Sequence, residues 1–503
     1  MTILMPTTDQ LPYALYRAEQ VRELDRMAIE EYGIPGLQLM ERAGAEAFNL
    51  LRELWPDACD ITVVCGIGNN GGDGFILARL ASEAGLSVRV LQLGDTDRLR
   101  GDALASADSF RSVGGEMFPY QGLRRKIDVI VDGIFGTGLE REVTGIWKEA
   151  VDAVNRHPAP VLALDIPSGI NSDTGQMLGV AIKAAATISF IGLKQGMFTG
   201  DGPEYCGKVS YHALEVPAAI FSSQIISARR ADWRQQSTRL APRSRTAHKG
   251  HFGHLLVIGG DHGYSGAARM AGEAAARCGT GLVSIATRQA HAAIMAGNRP
   301  ELMCHGVEKA ETLTPLLSRA SVIAIGPGLG QSVWSMSMLS RAMDSGLPMV
   351  VDADGLNLLA AEPARRDNWI LTPHPGEAAR LLGCSVREIE EDRFQAVDEL
   401  QKRYGGVILL KGAGTLISDP SSRPVTLSSD GNPGMATGGM GDLLTGIVAG
   451  LRAQGSDQEE AAIMGASLHG GAADLAAAVG ERGMLACDLM PCIRSLLNPG
   501  AAS

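Results

Sequence analysis

A glycine-rich stretch near the carboxyl end of the chain, GNPGMATGGMGD, ends on a single carboxylate, Asp442. LLTGIVAGLRAQG follows directly and has the pattern of a helix. A helix N-terminus presents unpaired N–H groups and the positive end of a dipole, and glycines let an anion approach the backbone. A carboxylate there would repel the anion, so its position needs a reason. A suitable one is to accept the proton of a hydroxyl that attacks a phosphoryl group. The alternative is a glycine-rich turn whose aspartate caps the helix.

A second glycine-rich stretch, GIGNNGGDGF at residues 66–75, lies between an apolar run, DITVVCG, and a helical pattern, FILARLASEAG. This order predicts a glycine loop in a βαβ unit. Two later apolar runs end in aspartates, Asp132 and Asp165. Ligands bind outside the carboxyl ends of parallel strands, so we expect the loop and both aspartates at one edge of a sheet. Pro167 stiffens the turn after Asp165, which makes Asp165 a candidate acid/base group; an Asx-turn is the alternative.

Two further candidates lie in the second half of the chain. LKGAGT places Lys411 at a strand end beside a glycine turn, where it could contact nucleotide phosphates; a surface lysine beside a hairpin is the alternative. TPHPGE holds His374 between two prolines that fix its loop. That histidine is a candidate substrate contact or a purely structural residue.

The elements that must position these residues alternate between strands and helices in both halves of the chain, which predicts an α/β fold with two domains. We place the domains at residues 1–220 and 246–503. The stretch between them, residues 221–245, is rich in Arg, Ser and Gln and is predicted to be a solvated linker.

Composition restricts the classes of partner. The 503 residues are 45% hydrophobic and 20% charged, with a net charge of -11. This acidic balance argues against a nucleic acid or an anionic membrane as the main partner. The eight cysteines form no C-x-x-C pair, which indicates free thiols in a reducing compartment. With neither a signal-peptide pattern nor a long apolar run, we expect a cytoplasmic protein.

Longer motifs carry a family resemblance over nearly the whole chain. LMERAG, GNNGGDGF, VDGIFGTGL and DIPSGINSDTG resemble the NAD(P)HX epimerase family. HKGHFGHLLVIGG, IGPGLG, VVDADGLNLL, LTPHPGEAARLLG, LKGAGT and GMATGGMGDLLTG resemble the ADP-dependent NAD(P)HX dehydratase family. The chain as a whole resembles the bifunctional NAD(P)H-hydrate repair enzymes. The resemblance implies a Rossmann-like three-layer domain followed by a ribokinase-like α/β domain.

The resemblance also implies the chemistry. Hydration of the nicotinamide ring of NADH or NADPH gives R and S epimers of NADHX or NADPHX, which the first domain would interconvert. The second domain would remove water from the S epimer, converting ADP to AMP and phosphate. K⁺ would serve the epimerase, and Mg²⁺ with ADP the dehydratase. We further expect a homo-oligomer.

The family's functional positions carry over as follows, with Asp165 and Asp442 as the catalytic groups. The first domain would bind the hydrate through Asn69, Asn70, Gly71, Gly72, Asp73, Gly136, Thr137, Gly138, Leu139, Glu140, Arg141, Glu142 and Asp165. K⁺ would be held by Asn70, Asp132 and Ser168. The second domain would bind the hydrate through Ala267, Gly328, His374 and Asp442, and the nucleotide through Lys411, Gly412, Ala413, Gly414, Thr415 and Gly441.

Two rival functions remain at this stage. A ribokinase-like small-molecule kinase shares the glycine loop and the aspartate, but does not need the first domain. A non-catalytic scaffold with an epimerase-like domain has no use for GNNGGDG together with Asp132 and Asp165. The residues alone do not decide whether the nucleotide is ADP or ATP, or whether NADHX or NADPHX is the preferred hydrate.

Overall fold

The computed structural model describes residues 11–498. The chain divides into two compact units with the boundary between Arg229 and Arg230, inside the stretch predicted as a linker. This stretch contains a strand and a short helix, and the side chains of Arg230 and Trp233 are only 1% and 8% exposed. It is therefore structured and partly buried, and not a solvated linker. Elements of four and five residues are too short to show periodicity in a sequence.

The first unit alternates strands and helices. Its strands are β1 (Ala14–Tyr16), β2 (Asp60–Cys65), β3 (Ser87–Gln92), β4 (Met117–Pro119), β5 (Val129–Gly133), β6 (Val161–Leu164), β7 (Ala186–Phe190), β8 (Leu193–Lys194) and β9 (Lys208–His212), and β10 (Ala228–Ala231) crosses the boundary. Its helices are α1 (Ala18–Glu30), α2 (Gly36–Leu54), α3 (Asn69–Glu83), α4 (Gly101–Ser112), α5 (Gly145–Arg156), α6 (Gly202–Cys206) and α7 (Ala219–Ser222).

The main sheet of this unit is parallel throughout, in the order β4-β3-β2-β5-β6-β7-β9. Both faces are covered, because side chains alternate between two cores along each strand. Val129 and Val131 of β5 lie in one core with residues of α1 to α4, whereas Ile130 lies in the other core with residues of α5. The predicted three-layer α/β arrangement is confirmed.

The GNNGGDG stretch is not a loop. Helix α3 begins at Asn69, so these glycines form its first turns. A Cβ on Gly71 would lie 2.3 Å from the carbonyl oxygen of Gly66, and one on Gly72 would lie 2.4 Å from the sulfur of Met40. The glycines thus allow close packing of the helix start, which composition alone could not distinguish from loop flexibility.

The second unit has the same alternation. Its strands are β11 (His254–Ile258), β12 (Leu282–Thr287), β13 (Met303–Gly306), β14 (Val322–Ile325), β15 (Met349–Val351), β16 (Trp369–Leu371), β17 (Val407–Leu410), β18 (Thr415–Asp419) and β19 (Ser422–Ser428). Its helices are α8 (Trp233–Ser237), α9 (Ser265–Arg277), α10 (Gln289–Asn298), α11 (Thr314–Leu317), α12 (Val333–Asp344), α13 (Ala353–Ala361), α14 (Pro375–Leu382), α15 (Val386–Glu391), α16 (Arg393–Tyr404), α17 (Met440–Ala453), α18 (Gln458–Ala476) and α19 (Leu489–Leu496).

Within this unit the sheet order is β13-β12-β11-β14-β15-β16-β17-β18-β19. The strands are parallel up to β17, and β17, β18 and β19 form antiparallel pairs. Helices α9 and α17 pack closely, since a Cβ on Gly446 would lie 2.0 Å from the carbonyl oxygen of Ala271. This contact fixes α17, whose first turn carries Asp442.

Among the described residues, the segment Gln458–Val479 is long and apolar enough to cross a membrane, with 61% of its apolar window buried inside the protein. A buried core helix meets the same criteria. The eight cysteines are free thiols, of which Cys65, Cys206 and Cys278 are buried.

Candidate active sites

A cavity of about 570 Å³ lies at the carboxyl ends of β2, β5 and β6 in the first unit. Of the residues predicted to bind the hydrate, those that line it are Asn69, Asn70, Asp73, Gly136, Thr137, Gly138, Leu139, Arg141 and Asp165. Gly71, Gly72, Glu140 and Glu142 are not among its lining residues. The strand-end argument therefore placed Asn69, Asn70, Asp73 and Asp165 in one cavity wall, and the family resemblance added the lining residues of the loop 136–142.

Asp165 follows β6 directly and has a positive φ of 66°. This left-handed conformation is uncommon for a residue with a side chain, and the surrounding structure must hold it. Lys194, at the end of β8, is fully buried and its ammonium group contacts the Asp165 carboxylate. The Lys194 Nζ also donates to the Ser189 hydroxyl (3.0 Å) and the Phe190 carbonyl (3.2 Å). Sequence reasoning missed Lys194; a lone lysine in the apolar run SFIGLKQGMF was the available signal.

Two other carboxyl groups, Asp25 on α1 and Asp73 on α3, line the same cavity. Burial raises the pKa of Asp25 to about 7, opposed by the Lys194 charge and reinforced by Asp165. Burial, with the negative charges of Asp165 and Asp25, raises the pKa of Asp73 well above its usual value. The cavity therefore holds carboxyl groups that can carry a proton near neutral pH. Asp25, in an ordinary amphipathic helix, gave no sequence signal.

The residues predicted to hold K⁺ are joined through Phe135. Asp132 is buried and accepts hydrogen bonds from the Ser168 hydroxyl (2.6 Å) and from the backbone N–H groups of Ser168 (2.8 Å) and Ile134 (3.1 Å). The Asn70 side-chain amide donates to the Phe135 carbonyl (2.9 Å), and Ser168 Oγ accepts from the Phe135 N–H (2.8 Å). The Asn70 Oδ1 is buried and has no hydrogen-bond partner within residues 11–498. The unpaired amide oxygen of Asn70 and the buried carboxylate of Asp132 are oxygen ligands of the kind that a hard cation takes.

In the second unit, Asp442 lies in the first turn of α17, behind the left-handed cap residue Gly439 (φ 91°). Burial, together with the negative charges of Asp352 and Asp354, raises the pKa of Asp442 to about 7 against the opposing charge of Lys411. The helix position predicted from the sequence is confirmed. A carboxyl group with this pKa is matched to proton transfer at neutral pH.

Lys411 follows β17 and points into a buried network. Its Nζ lies 2.7 Å from Asp352 Oδ1 and 3.6 Å from Glu377 Oε2. Asp352 Oδ2 accepts from the Thr445 hydroxyl at 2.7 Å, which links the network to α17. Asp352 and Glu377 were not among the predicted residues, although Asp352 ends an apolar run as Asp132 does.

The remaining predicted residues fall into three local groups. His374 caps α14, where its Nδ1 accepts from the Gly376 N–H (3.0 Å), and its Nε2 lies 3.5 Å from Glu377 Oε1. Ala267 and Gly328 meet at the start of α9, where a Cβ on Gly328 would lie 3.1 Å from that of Ala267. The third group is the set predicted to bind the nucleotide. In this group a Cβ on Gly441 would lie 3.4 Å from Lys411 Nζ. The turn between β17 and β18 contains Gly412, Ala413 and Gly414, and Thr415 begins β18.

The raised pKa of Asp442 predicts a pH dependence. If Asp442 acts by accepting a proton, the form that is already protonated is inactive, and this form dominates below the pKa of about 7. We therefore expect kcat/KM for the hydrate to rise about tenfold per pH unit below pH 7 and to level off above it. The measurement is the regeneration of NADH at saturating nucleotide between pH 5.5 and 8.5. Nucleotide affinity over the same range is the control, and a flat kcat/KM profile would contradict the role.

Comparisons with known proteins match each half of the chain to a different family. Residues 36–196 match the family model described as YjeF-related protein N-terminus, and residues 255–495 match that of NAD(P)H-hydrate dehydratase. The bifunctional NAD(P)H-hydrate repair enzyme of Coxiella burnetii is 50% identical, covering 96% of this chain and 99% of that protein. That of Escherichia coli is 43% identical, covering 97% and 95%.

The second half also resembles a solved structure, a ribokinase-like superfamily protein from Enterococcus faecalis. It is 27% identical, with a TM-score of 0.51 that covers 55% of this chain and 96% of that chain. The predicted ribokinase-like fold is thus confirmed. On the near full-length identity to its relatives, the chain belongs to the family of bifunctional NAD(P)H-hydrate repair enzymes.

Proposed function

We propose that the first unit interconverts the R and S epimers of NADHX and NADPHX, and that the second dehydrates the S epimer while converting ADP to AMP and phosphate. The observation that carries this proposal is the presence of two separate acid/base sites in one chain. One site is built on Asp165 and Lys194, and the other on Asp442 and Lys411.

In the first unit, epimerisation proceeds by breaking and remaking the bond between the ring carbon and its hydroxyl oxygen. The Asp73 carboxyl group, whose pKa is raised, donates a proton as the ring nitrogen lone pair expels that hydroxyl as water. Water then adds to the opposite face of the ring while the Asp165 carboxylate accepts its proton, which is returned to Asp73 before the next turnover. Lys194 holds the carboxylate in place through its contact with Asp165. The raised pKa values of Asp25 and Asp73 reduce the negative charge beside it.

The buried oxygens of the first unit fit K⁺. Asn70 Oδ1, the Asp132 carboxylate and Ser168 Oγ would hold the ion, which would balance the charge of Asp132 and fix the loop after β5. The unpaired Asn70 oxygen supports this assignment.

In the second unit, Asp442 accepts the proton of the hydrate hydroxyl as that oxygen attacks the terminal phosphoryl group of ADP and AMP leaves. Bound Mg²⁺ would neutralise charge on the phosphoryl oxygens. Phosphate is a better leaving group than hydroxide. The ring nitrogen lone pair therefore expels it, and loss of a proton from the neighbouring carbon restores NADH or NADPH.

One experiment tests the whole proposal. An R/S mixture of NADHX is incubated with Mg²⁺ and either ADP or ATP, while NADH absorbance and nucleotide products are followed. We expect full conversion with AMP and free phosphate as products. A stable phosphorylated hydrate would indicate a kinase, and a higher kcat/KM for ATP than for ADP would refute the ADP assignment.

A cytoplasmic location, a homo-oligomeric state and the absence of a nucleic-acid or membrane partner stay predictions. The net charge of -11 supports the last of them.

A further inference from the structure

Three arginines, Arg22, Arg98 and Arg141, line the cavity of the first unit. Among the described residues, none of their guanidinium groups has a hydrogen-bond or ion-pair partner. By contrast, Arg26 on α1 pairs with Glu23 and Glu30. Guanidinium groups match phosphate oxygens in shape and charge. The cavity therefore offers unused positive groups to a phosphorylated ligand.

Arg98 lies in the loop after β3. It closes the short turn Thr96–Arg98 that follows β3, and the side chain of Asp95 fixes this turn by accepting the Asp97 N–H (3.0 Å). In parallel α/β folds that bind dinucleotides, the region after the second strand meets the ribose of the adenosine half. Here β2 is the first strand of the parallel sheet and β3 the second.

The distance across the sheet suits a dinucleotide. Asp165 follows β6, and β6 is separated from β3 by β5 and β2. Three strand spacings amount to about 14 Å, which is the length scale of an extended dinucleotide. With the hydrated ring at Asp165, the adenosine half reaches the loop that carries Arg98.

The same loop borders an aromatic surface. Trp147 lines the cavity, and its ring centroid lies 4.9 Å from that of Phe135. A Cβ on Gly94, at the start of the β3 loop, would lie 3.4 Å from the Trp147 ring. An adenine base can stack on such a surface, which places the attached ribose beside the loop.

Other charged groups at this end do not replace Arg98. The Arg100 guanidinium donates to the carbonyl groups of Asp97 and Leu99, so it holds the turn together. Asp102 lines the cavity and could accept a ribose hydroxyl, but it would repel a phosphate unless a cation offsets its charge. On the β3 loop, Arg98 supplies a cavity-lining guanidinium group that has no partner in the described part of the chain.

Resting on the proposed epimerase function, we propose that Arg98 binds the 2′-phosphate of NADPHX and sets the preference between the two hydrates. The pyrophosphate is common to NADHX and NADPHX, whereas the 2′-phosphate belongs only to NADPHX. Loss of a residue that binds the 2′-phosphate should therefore lower kcat/KM for NADPHX and leave kcat/KM for NADHX unchanged.

The test compares Arg98→Ala with the full-length wild type in epimerisation of NADHX and NADPHX without nucleotide, followed by chiral chromatography. We expect kcat/KM for NADPHX to fall about 10- to 100-fold, as for the loss of a hydrogen bond to a charged group, and that for NADHX to stay within threefold. Arg98→Lys should retain part of the NADPHX rate.

The matched control is Arg111→Ala, which removes the same charge from α4, where Arg111 is exposed and paired with Asp108 (2.7 Å). It should change neither rate. Equal losses for both hydrates in Arg98→Ala would assign Arg98 to the pyrophosphate and overturn the proposal, as would no loss at all. A wild type that epimerises neither hydrate would instead refute the proposed function.

Discussion

Asp442→Asn is expected to slow dehydration of the S hydrate about 100- to 10,000-fold, the usual effect of losing a general base. The substitution keeps the size of the side chain and removes the carboxylate that faces Lys411 and Asp352. Nucleotide affinity should remain, because the Asp352–Lys411 ion pair is unchanged. The measurement is single-turnover regeneration of NADH, together with direct binding of ADP.

Asp457→Asn is the matched control for this variant. Asp457 caps α18 by accepting the Glu460 N–H at 2.7 Å, and asparagine caps helices equally well. The control loses the same charge from the helix that follows α17, and should keep wild-type activity. If Asp442→Asn stays within threefold of wild type, Asp442 is not the base.

The second large effect is expected from Asp165→Asn, which should abolish epimerisation and leave dehydration of the S epimer intact. Asparagine tolerates the positive φ of Asp165, so the backbone is kept. Lys194 keeps Ser189 and Phe190 as partners, which limits the cost of losing the carboxylate. With excess nucleotide, the variant should consume the S fraction and then stall, apart from slow spontaneous epimerisation.

The two variants should complement each other in a mixed reaction. Adding Asp442→Asn, which has an intact first unit, to a stalled reaction of Asp165→Asn should restart it, because the hydrate can diffuse between molecules. Chiral chromatography over time follows both epimers. Consumption of the R epimer by Asp165→Asn at the wild-type rate would show that Asp165 is not catalytic or that the second unit is not stereoselective. Dehydration of separated R and S epimers by this variant distinguishes the two explanations.

The α/β class and the general position of both sites were predictable from local pattern. Apolar runs that end in aspartates, followed by glycine-containing loops, predict strand ends at a sheet edge, and Asp132 and Asp165 lie where this pattern places them. A glycine cluster followed by a helical pattern placed Asp442 at the start of α17, as found. The prediction works because strand direction and side-chain period are local properties of the chain. Short motifs also indicated the family, because they follow one another in the family's order over nearly all 503 residues.

Tertiary structure decided which groups meet those aspartates. Lys194 lies 29 residues from Asp165 along the chain, and Asp352 lies 59 residues from Lys411 and 93 from Thr445. No local pattern encodes such pairs, because each forms only when separate strands and helices pack against one another. The raised pKa values of Asp25, Asp73 and Asp442 have the same origin. Burial and neighbouring charge set the pKa of a carboxyl group, and both are created by packing and not by the order of residues.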